Sequence, residues 1–437
     1  MSRRRIAALA LTIGLGTTAT ALTTTVAIAG EKKPDFSKLK EIEEPDPCKN
    51  DQGVTDDTIK VGVITIESGP AGAGFAPGAE QGIQARFDKA NAEGELGDRT
   101  IEFTVADDTN DSARNLTAAR QLNEEEKIFG IISLTGVAKG GAGYLNEEGI
   151  PVTGWHTGEN VWGIYPNMFS WRPTQAPDNR TVFTTRNADL LKELGAKRIA
   201  VVGSNVESSA INADQAATAV EKTKGLKLVF KTTDVTVEQQ DFTGIAAQIK
   251  EAKADGVYTS TGGLQANGLT QALDQAGIEL KAIVFPGGYD DRVTGLPGYD
   301  GAYIGTEFVP LEVGSPGLTE YTEAMESHGF ETLRFFALHG WFSADAFVEG
   351  IKAAGVSCPT RKAFINNLRL VKGYDAGGSF LPVDYAKVFG RPAACFYYVQ
   401  VQNQEFVPIF DGEPFCATQM VEDGEARKLK PSEIKIG

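Results

Sequence analysis

The chain carries few of the side chains that perform chemistry in enzymes. Its only histidines are His156, His328 and His339. No serine stands in the G-x-S-x-G turn that presents a nucleophile in many hydrolases. The zinc pattern H-E-x-x-H and a C-x-x-C pair are also absent. The sequence therefore predicts neither an enzyme nor a metal site, and an exported α/β hydrolase is kept only as a weaker alternative.

A glycine-rich stretch invites comparison with nucleotide-binding loops. Gly72-Ala73-Gly74 is followed by Gly78, so the spacing G-x-G-x-x-G is not met. We expect this loop, residues 67–75, to line a ligand site, and we predict no cofactor. The formal net charge of −16 disfavours nucleic acid and anionic membranes as partners.

The four cysteines are Cys48, Cys358, Cys395 and Cys416. In an exported chain they are expected to form two disulfides, and three pairings are possible. Cys395 and Cys416 flank a predicted hairpin and could meet locally. We therefore favour that pair, together with Cys48–Cys358.

The first 29 residues are typical of a secretory signal peptide. Ser2-Arg3-Arg4-Arg5 is basic, an apolar run follows from Ile6 to Ala21, and Ala27-Ile28-Ala29 offers small residues for cleavage. We prefer this interpretation to a membrane anchor, because the run is short and diluted with Thr and Gly. Since the first cysteine is Cys48, we expect no lipid at the cleavage point. The predicted location is secreted, outside the cytoplasm.

The elements that must position a site follow a repeating pattern. Apolar, β-branched stretches alternate with helical periodicity, which predicts β-α-β units and parallel sheets with ligand sites at the carboxyl ends of the strands. The seven stretches are 59–64, 101–105, 128–132, 198–202, 226–230, 257–260 and 282–285. Residues 179–194 predict a helix with Val182 and Phe183 on its apolar face. Residues 395–402 and 405–410 predict a hairpin that adds an antiparallel edge.

Several short motifs recur in an informative order along residues 53–408. They are Gly53 to Gly62, Ser68-Gly69-Pro70, Asn91 to Gly94, Asp107-Asp108, Glu148 to Val152 and Asp241-Phe242. With these motifs the chain resembles the type I periplasmic-type solute-binding proteins of the Leu/Ile/Val-binding family, which serve ABC importers. The resemblance implies an α/β fold of two Rossmann-like lobes with parallel sheets, joined by three crossover strands and closing on a ligand.

The resemblance also implies domain limits. Lobe 1 is expected at 55–171 and 311–374, and lobe 2 at 174–306 and 383–410. A polar spacer is predicted at 30–54. Residues 411–437 are predicted to form a C-terminal tail, polar and frayed from Val421 onward.

Candidate ligand contacts in lobe 1 lie in two loops. Family members hold a ligand carboxylate with a hydroxyl and backbone N–H groups at the position of Thr135 and Gly136, near a helix start that favours an anion. By position, His156 and Thr157 should face the cleft, and His156 could donate a hydrogen bond to an acidic ligand. The alternatives are that Thr135 only caps the helix and that His156 is structural.

Candidate contacts in lobe 2 are Ser208, Thr261, Tyr289 and Asp290. Amino-acid binders place a carboxylate near Gly287 to pair with the ligand ammonium. Asp290 could replace it, or could be a solvated loop acid. An amino acid, a carboxylate, an amide and an aromatic compound therefore all remain possible ligands.

The sequence thus predicts a monomeric extracytoplasmic protein that captures a small organic solute and delivers it to the permease of an ABC importer. A soluble sensor of the same fold that feeds a receptor is the alternative, and the sequence does not separate the two.

Overall fold

The computed structural model describes residues 34–69, 72–156 and 158–434, apart from the side chain of Ala73. The predicted signal peptide and Thr157 lie outside these residues. In the part described, no helix is long and apolar enough to span a membrane.

The first lobe is built on a parallel five-stranded sheet with the order β2-β1-β3-β4-β5. Helices cover the sheet, and α11, which is buried along most of its length, packs on α2, β3 and β4. The strands are β1 (Thr58–Thr65), β2 (Thr100–Asp107), β3 (Gly130–Leu134), β4 (Val152–Trp155) and β5 (Met168–Ser170). The helices are α1 (Gly72–Phe75), α2 (Gly78–Glu93), α3 (Ser112–Glu124), α4 (Ala142–Glu147), α10 (Pro316–Ser327), α11 (Phe335–Ala354) and α12 (Arg361–Leu370).

The second lobe is built on a larger sheet with the order β13-β12-β11-β10-β9-β7-β8, and β14 also pairs with β12. Strands β7 to β11 run parallel, and β12–β13 is the predicted antiparallel hairpin at the edge. The strands are β7 (Arg198–Ser204), β8 (Lys227–Val235), β9 (Gly256–Thr259), β10 (Ala282–Phe285), β11 (Tyr303–Thr306), β12 (Cys395–Gln402), β13 (Glu405–Pro408) and β14 (Phe415–Cys416). The helices are α5 (Arg186–Glu193), α6 (Glu207–Lys222), α7 (Thr243–Glu251), α8 (Gly263–Gln275) and α9 (Asp291–Thr294).

The chain passes between the two lobes three times, after Ser170, after Thr306 and after Leu370. The third passage contains the short helix α13 (Tyr385–Val388). The α/β fold of two lobes with parallel sheets is thus confirmed, while the residue limits given for each lobe stay predictions.

A third, small sheet corrects two predictions. Residues 179–194 do not form one helix, because β6 (Val182–Thr184) pairs with β15 (Gln419–Glu422), which pairs with β16 (Glu425–Lys428). The tail is not frayed from Val421 to Ile434, since Val421 is buried with Phe183 in one core and α14 (Pro431–Ile434) follows the hairpin. A partner strand more than two hundred residues away decided this local structure.

Both disulfides are those expected from the sequence, Cys48–Cys358 and Cys395–Cys416. The second joins β12 to β14, where the two cysteines face each other across the ladder. The first fixes the end of the spacer to the segment that follows α11. Among the described residues, no group of three His, Cys, Asp or Glu side chains could hold a metal ion.

Candidate functional site

A cavity of about 1160 Å³ opens between the two lobes. It is lined by residues that follow β1, β2 and β4 in the first lobe, and β7, β9 and β10 in the second. Ligands of parallel α/β sheets bind at these carboxyl ends, so the cavity lies where the fold predicts it. Its volume is slightly above the usual range for small-molecule sites, roughly 300–1000 Å³.

Aromatic side chains form the walls of the cleft. The rings of Phe75 and Phe336 stack with centroids 3.7 Å apart, and Trp155 meets Phe336 edge-on at 5.4 Å. Phe335, Phe285 and Tyr299 also line the cavity. Such walls suit an apolar or aromatic ligand body.

A buried ionic network forms the floor of the cleft. Glu307, directly after β11, accepts a hydrogen bond from Trp155 Nε1 at 3.0 Å, and His339 Nε2 lies 3.1 Å from the same carboxylate oxygen. Arg172 Nη1 lies 2.9 Å from its other oxygen. Burial opposes ionisation of Glu307, but the charge of Arg172 and the contact with His339 outweigh it and lower the pKa to about 2. The carboxylate is therefore ionised and fully paired.

His156 lines the cavity, yet only 1% of it is exposed. Its Nε2 lies 3.0 Å from the carbonyl oxygen of Pro173, which can only accept, so Nε2 carries the proton and donates. Burial and the charge of Arg172 lower the pKa of His156 to about 3, so the ring is neutral. Donation to an acidic ligand would require this bond to break.

Thr135 and Gly136 are not among the residues that line the cavity. Thr135 is fully buried, and its Oγ1 accepts from Val137 N at 3.3 Å. Burial raises the pKa of Asp108, and hydrogen bonds from Thr135 and Asn115 oppose that rise. The Thr135 hydroxyl therefore already serves a carboxylate of the chain itself, and ligand contact at this loop stays a prediction.

The backbone donors beside Thr135 are also occupied by a carboxylate of the chain. Glu159 accepts from Ala138 N at 2.9 Å and from Lys139 N at 3.2 Å. Burial raises the pKa of Glu159 to about 7, although these two N–H bonds act against the rise. Glu159 thus occupies two backbone N–H groups that follow the loop at which the resemblance places a ligand carboxylate.

Of the four candidates in lobe 2, three line the cavity and one does not. Ser208 and Thr261 line the cavity, and the hydroxyl of Thr261 lies 2.9 Å from that of Thr259. Tyr289 does not line it; its buried hydroxyl donates to Glu312 at 2.6 Å and accepts from Leu311 N at 2.8 Å. Tyr289 thus lies behind the wall of the cavity.

Asp290 lines the cavity but is already paired. Its carboxylate accepts from Arg292 Nε at 2.7 Å and from the backbone N–H of Phe335 at 3.1 Å. Burial would raise its pKa, but the bonds from Arg292 and Phe335 lower it overall. Because Phe335 begins α11, this carboxylate bridges the two lobes, and a ligand ammonium would have to compete with these partners.

The cavity extends beyond the cleft into lobe 2, along one face of α6. Ser208, Ser209, Asn212, Gln215, Ala216 and Ala219 share that face and line the cavity. Phe183, Arg186, Tyr258 and Phe396 also line this part of the cavity, and we call the region formed by both sets of residues the inner chamber. The sequence pattern does not reveal this chamber, because residues 257–260 predict only a buried strand and Arg186 belongs to no recognisable motif. The available signal was Tyr258 itself, since a buried tyrosine hydroxyl needs a partner.

Residues 58–405 match the family model described as periplasmic binding protein, so the chain belongs to that family. A comparison with curated proteins found no match.

Solved structures share the fold at low identity. A leucine-binding protein from Thermotoga maritima is 17% identical with a TM-score of 0.66, covering 83% of this chain and 99% of its own. A fatty acid ABC transporter substrate-binding protein from Thermomonospora curvata is 20% identical with a TM-score of 0.69, covering 90% and 98%. A solute-binding protein from R. palustris in complex with 4-hydroxybenzoate is 20% identical with a TM-score of 0.65, covering 84% and 98%.

Proposed function

We propose that this protein is the extracytoplasmic solute-binding component of an ABC importer and that it captures an organic solute between its lobes. The observation that carries the proposal is the cavity of about 1160 Å³, lined from both lobes at the carboxyl ends of their parallel strands. A ligand held there contacts both lobes only when they are closed, so binding shifts the equilibrium toward the closed form. The closed form is what a permease would recognise.

The polar groups of the cleft favour an organic carboxylate over an α-amino acid. Three acidic residues line the cavity. Asp290 and Glu307 are ion-paired, and Glu238 is exposed. A ligand ammonium would therefore find no buried carboxylate without displacing an arginine. The aromatic walls supply an apolar surface instead, which suits a ligand with an apolar or aromatic body.

Proteins of this fold bind both kinds of solute. The structural neighbours include a leucine-binding protein, a complex with 4-hydroxybenzoate and a fatty acid substrate-binding protein. The preference for an acid therefore rests on the cleft of this chain and not on its neighbours.

The proposal is tested by a thermal-shift screen of the purified protein with branched-chain amino acids, aromatic acids, fatty acids and amides. At a hundredfold excess over the dissociation constant, a bound ligand should stabilise the fold by ~2.7 kcal/mol. Phe336→Ala, in the cleft wall, should weaken binding about tenfold or more. Val313→Ala, at an exposed site that does not line the cavity, is the matched control.

A screen in which no class of solute raises the melting temperature would contradict the proposal. The importer role is tested separately, by uptake of the identified ligand in cells with and without the gene. Uptake that is unchanged when the gene is removed would favour a sensor of the same fold.

A further inference from the structure

Arg186 differs from the other arginines that line the cavity. Arg172 is paired with Glu307, and Arg292 with Asp290. Among the described residues, no carboxylate lies within ion-pair distance of Arg186, although it stands in the first turn of α5. The inner chamber therefore contains a guanidinium whose charge is not balanced by a neighbouring acid.

The guanidinium of Arg186 is nevertheless held in place. Its Nε donates to the hydroxyl of Tyr398 at 3.2 Å, and its Nη1 donates to the carbonyl oxygen of Ala393 at 3.0 Å. Its central carbon lies 3.4 Å from the ring centroid of Phe396. Within the described structure Nη2 makes no hydrogen bond, so an oriented donor remains for another group.

Tyr258 provides a second unpaired donor in the same chamber. Only 2% of the residue is exposed, it lines the cavity, and its hydroxyl has no hydrogen-bond partner among the described residues. Burial raises the pKa of Tyr258 while the nearby charge of Arg186 lowers it, and the net direction is upward. The hydroxyl therefore stays protonated at neutral pH and can donate. A buried tyrosine hydroxyl normally has a partner, so its absence points to a ligand atom.

Apart from the polar side chains of α6, the inner chamber has apolar walls. They include Phe183, Phe396, Ala216 and Ala219. The face of α6 that lines the cavity runs from Ser208, beside the cleft, to Ala219, a distance of ~16 Å at 1.5 Å per residue. An apolar chain or ring system can therefore extend between the cleft and the chamber.

A carboxylate would supply what both donors lack. It can accept hydrogen bonds from a guanidinium N–H and a phenol at once, and charge-assisted bonds of this kind are the strong ones. The backbone N–H groups of Ala138 and Lys139 are unavailable for this purpose, because Glu159 accepts from both.

We propose that the inner chamber binds the carboxylate of an organic monocarboxylic acid through Arg186 and Tyr258, with the apolar body of the acid lying along α6. This rests on the proposed function, since the acid enters through the cleft. A linear acid and an aryl-alkyl acid share this chemistry.

Isothermal titration with octanoate and 4-phenylbutyrate tests the proposal, each compared with its alcohol, 1-octanol and 4-phenyl-1-butanol. The wild-type protein should bind at least one acid about tenfold or more tightly than the matching alcohol, because only the acid meets both donors as an anion. The two arms distinguish a linear from an aromatic body.

Variants assign the preference to the two side chains. Arg186→Gln should weaken acid binding about 10- to 100-fold and leave alcohol binding unchanged, while Tyr258→Phe should weaken acid binding about 3- to 10-fold. Arg186→Lys, which keeps the charge, should retain part of the preference. Arg120→Gln, an exposed arginine of α3 that does not line the cavity, is the matched control. Circular dichroism melting verifies folding, and Tyr258→Phe carries the test if Arg186→Gln does not fold.

The outcomes separate the inference from the proposed function. Equal wild-type affinity for acid and alcohol overturns the chamber as a carboxylate site. Acid binding that is unchanged in both Arg186→Gln and Tyr258→Phe does the same, while leaving a solute-binding protein intact. If neither acid binds, the inference is wrong, and the broader thermal-shift screen then decides the proposed function on its own.

Discussion

One cavity contains two polar regions that differ in a physically informative way. At the floor of the cleft, Glu307 is paired with Arg172 and hydrogen-bonded to His339. In the inner chamber, Nη2 of Arg186 and the hydroxyl of Tyr258 have no hydrogen-bond acceptor within the described structure. Burying a charge or a hydroxyl without a partner costs free energy. Groups that the chain satisfies itself stabilise the fold, whereas unsatisfied groups facing a cavity are those that a ligand can satisfy.

The sharpest test of this difference is the stability of Glu307→Gln. Losing the carboxylate leaves Arg172 buried without a counter-charge, so we expect the free energy of unfolding to fall by ~3 kcal/mol or more. Arg186→Gln breaks no ion pair but loses hydrogen bonds to Tyr398 and Ala393. It should therefore cost less than Glu307→Gln, about 1–2 kcal/mol. Urea unfolding measures both values, and equal losses would remove the distinction between the two regions.

The ion pair between Glu307 and Arg172 also predicts how the free energy of unfolding depends on pH. The folded pKa of Glu307, about 2, lies below its ordinary value of 4.5. The stabilisation is therefore present above pH 4.5 and is lost as the pH falls toward 2. The difference between wild type and Glu307→Gln should shrink over that range.

Glu159→Gln tests how the carboxyl group of Glu159, which accepts from the N–H groups at 138–139, contributes to stability at different pH values. The folded pKa of Glu159 is about 7, raised from 4.5, so the folded state holds a proton that the unfolded state releases between these values. Its contribution to stability is present below pH 4.5 and is lost as the pH rises to 7. The wild type should thus lose about 1–2 kcal/mol relative to Glu159→Gln across this window, at ~1.4 kcal/mol per unit and allowing for solvent screening. Parallel stability profiles, measured by urea unfolding at several pH values, would contradict this.

The smallest expected change in ligand affinity belongs to Thr135→Ala. Removing a hydroxyl that hydrogen-bonds to buried Asp108 should lower stability by ~1 kcal/mol. If the ligand carboxylate lies in the inner chamber, acid affinity should change less than about twofold. Titration of the acid decides: a tenfold loss in Thr135→Ala would place the carboxylate at the loop after β3 instead.

Much of the fold was predictable because it depends on local pattern. The strands and the β12–β13 hairpin follow runs of β-branched and aromatic residues, and the cysteine pairs follow from their positions beside predicted elements. The wrong predictions concern elements that depend on distant residues. Val182 and Phe183 have a helix-like apolar pattern, but they pair with β15 and form a strand. The sequence around residue 182 does not indicate that its partner lies near residue 421.

For the candidate site, too, the local sequence pattern predicts some features and long-range contacts decide the others. The sequence by itself determined the α/β alternation, and therefore the edge of each sheet at which the loops gather, since strand direction and chain order fix that edge. It also marked His156, Ser208, Thr261 and Asp290, which all line the cavity.

Only the tertiary structure decided which polar groups are already satisfied. Glu159 covers the N–H groups at 138–139, Glu307 meets Arg172, and Arg186 is left facing a cavity. Hydrogen bonds and ion pairs depend on distances of about 3 Å between residues that are far apart in sequence. The chain's composition cannot supply such distances, and they separate a side chain that holds the fold from one that is available to a ligand.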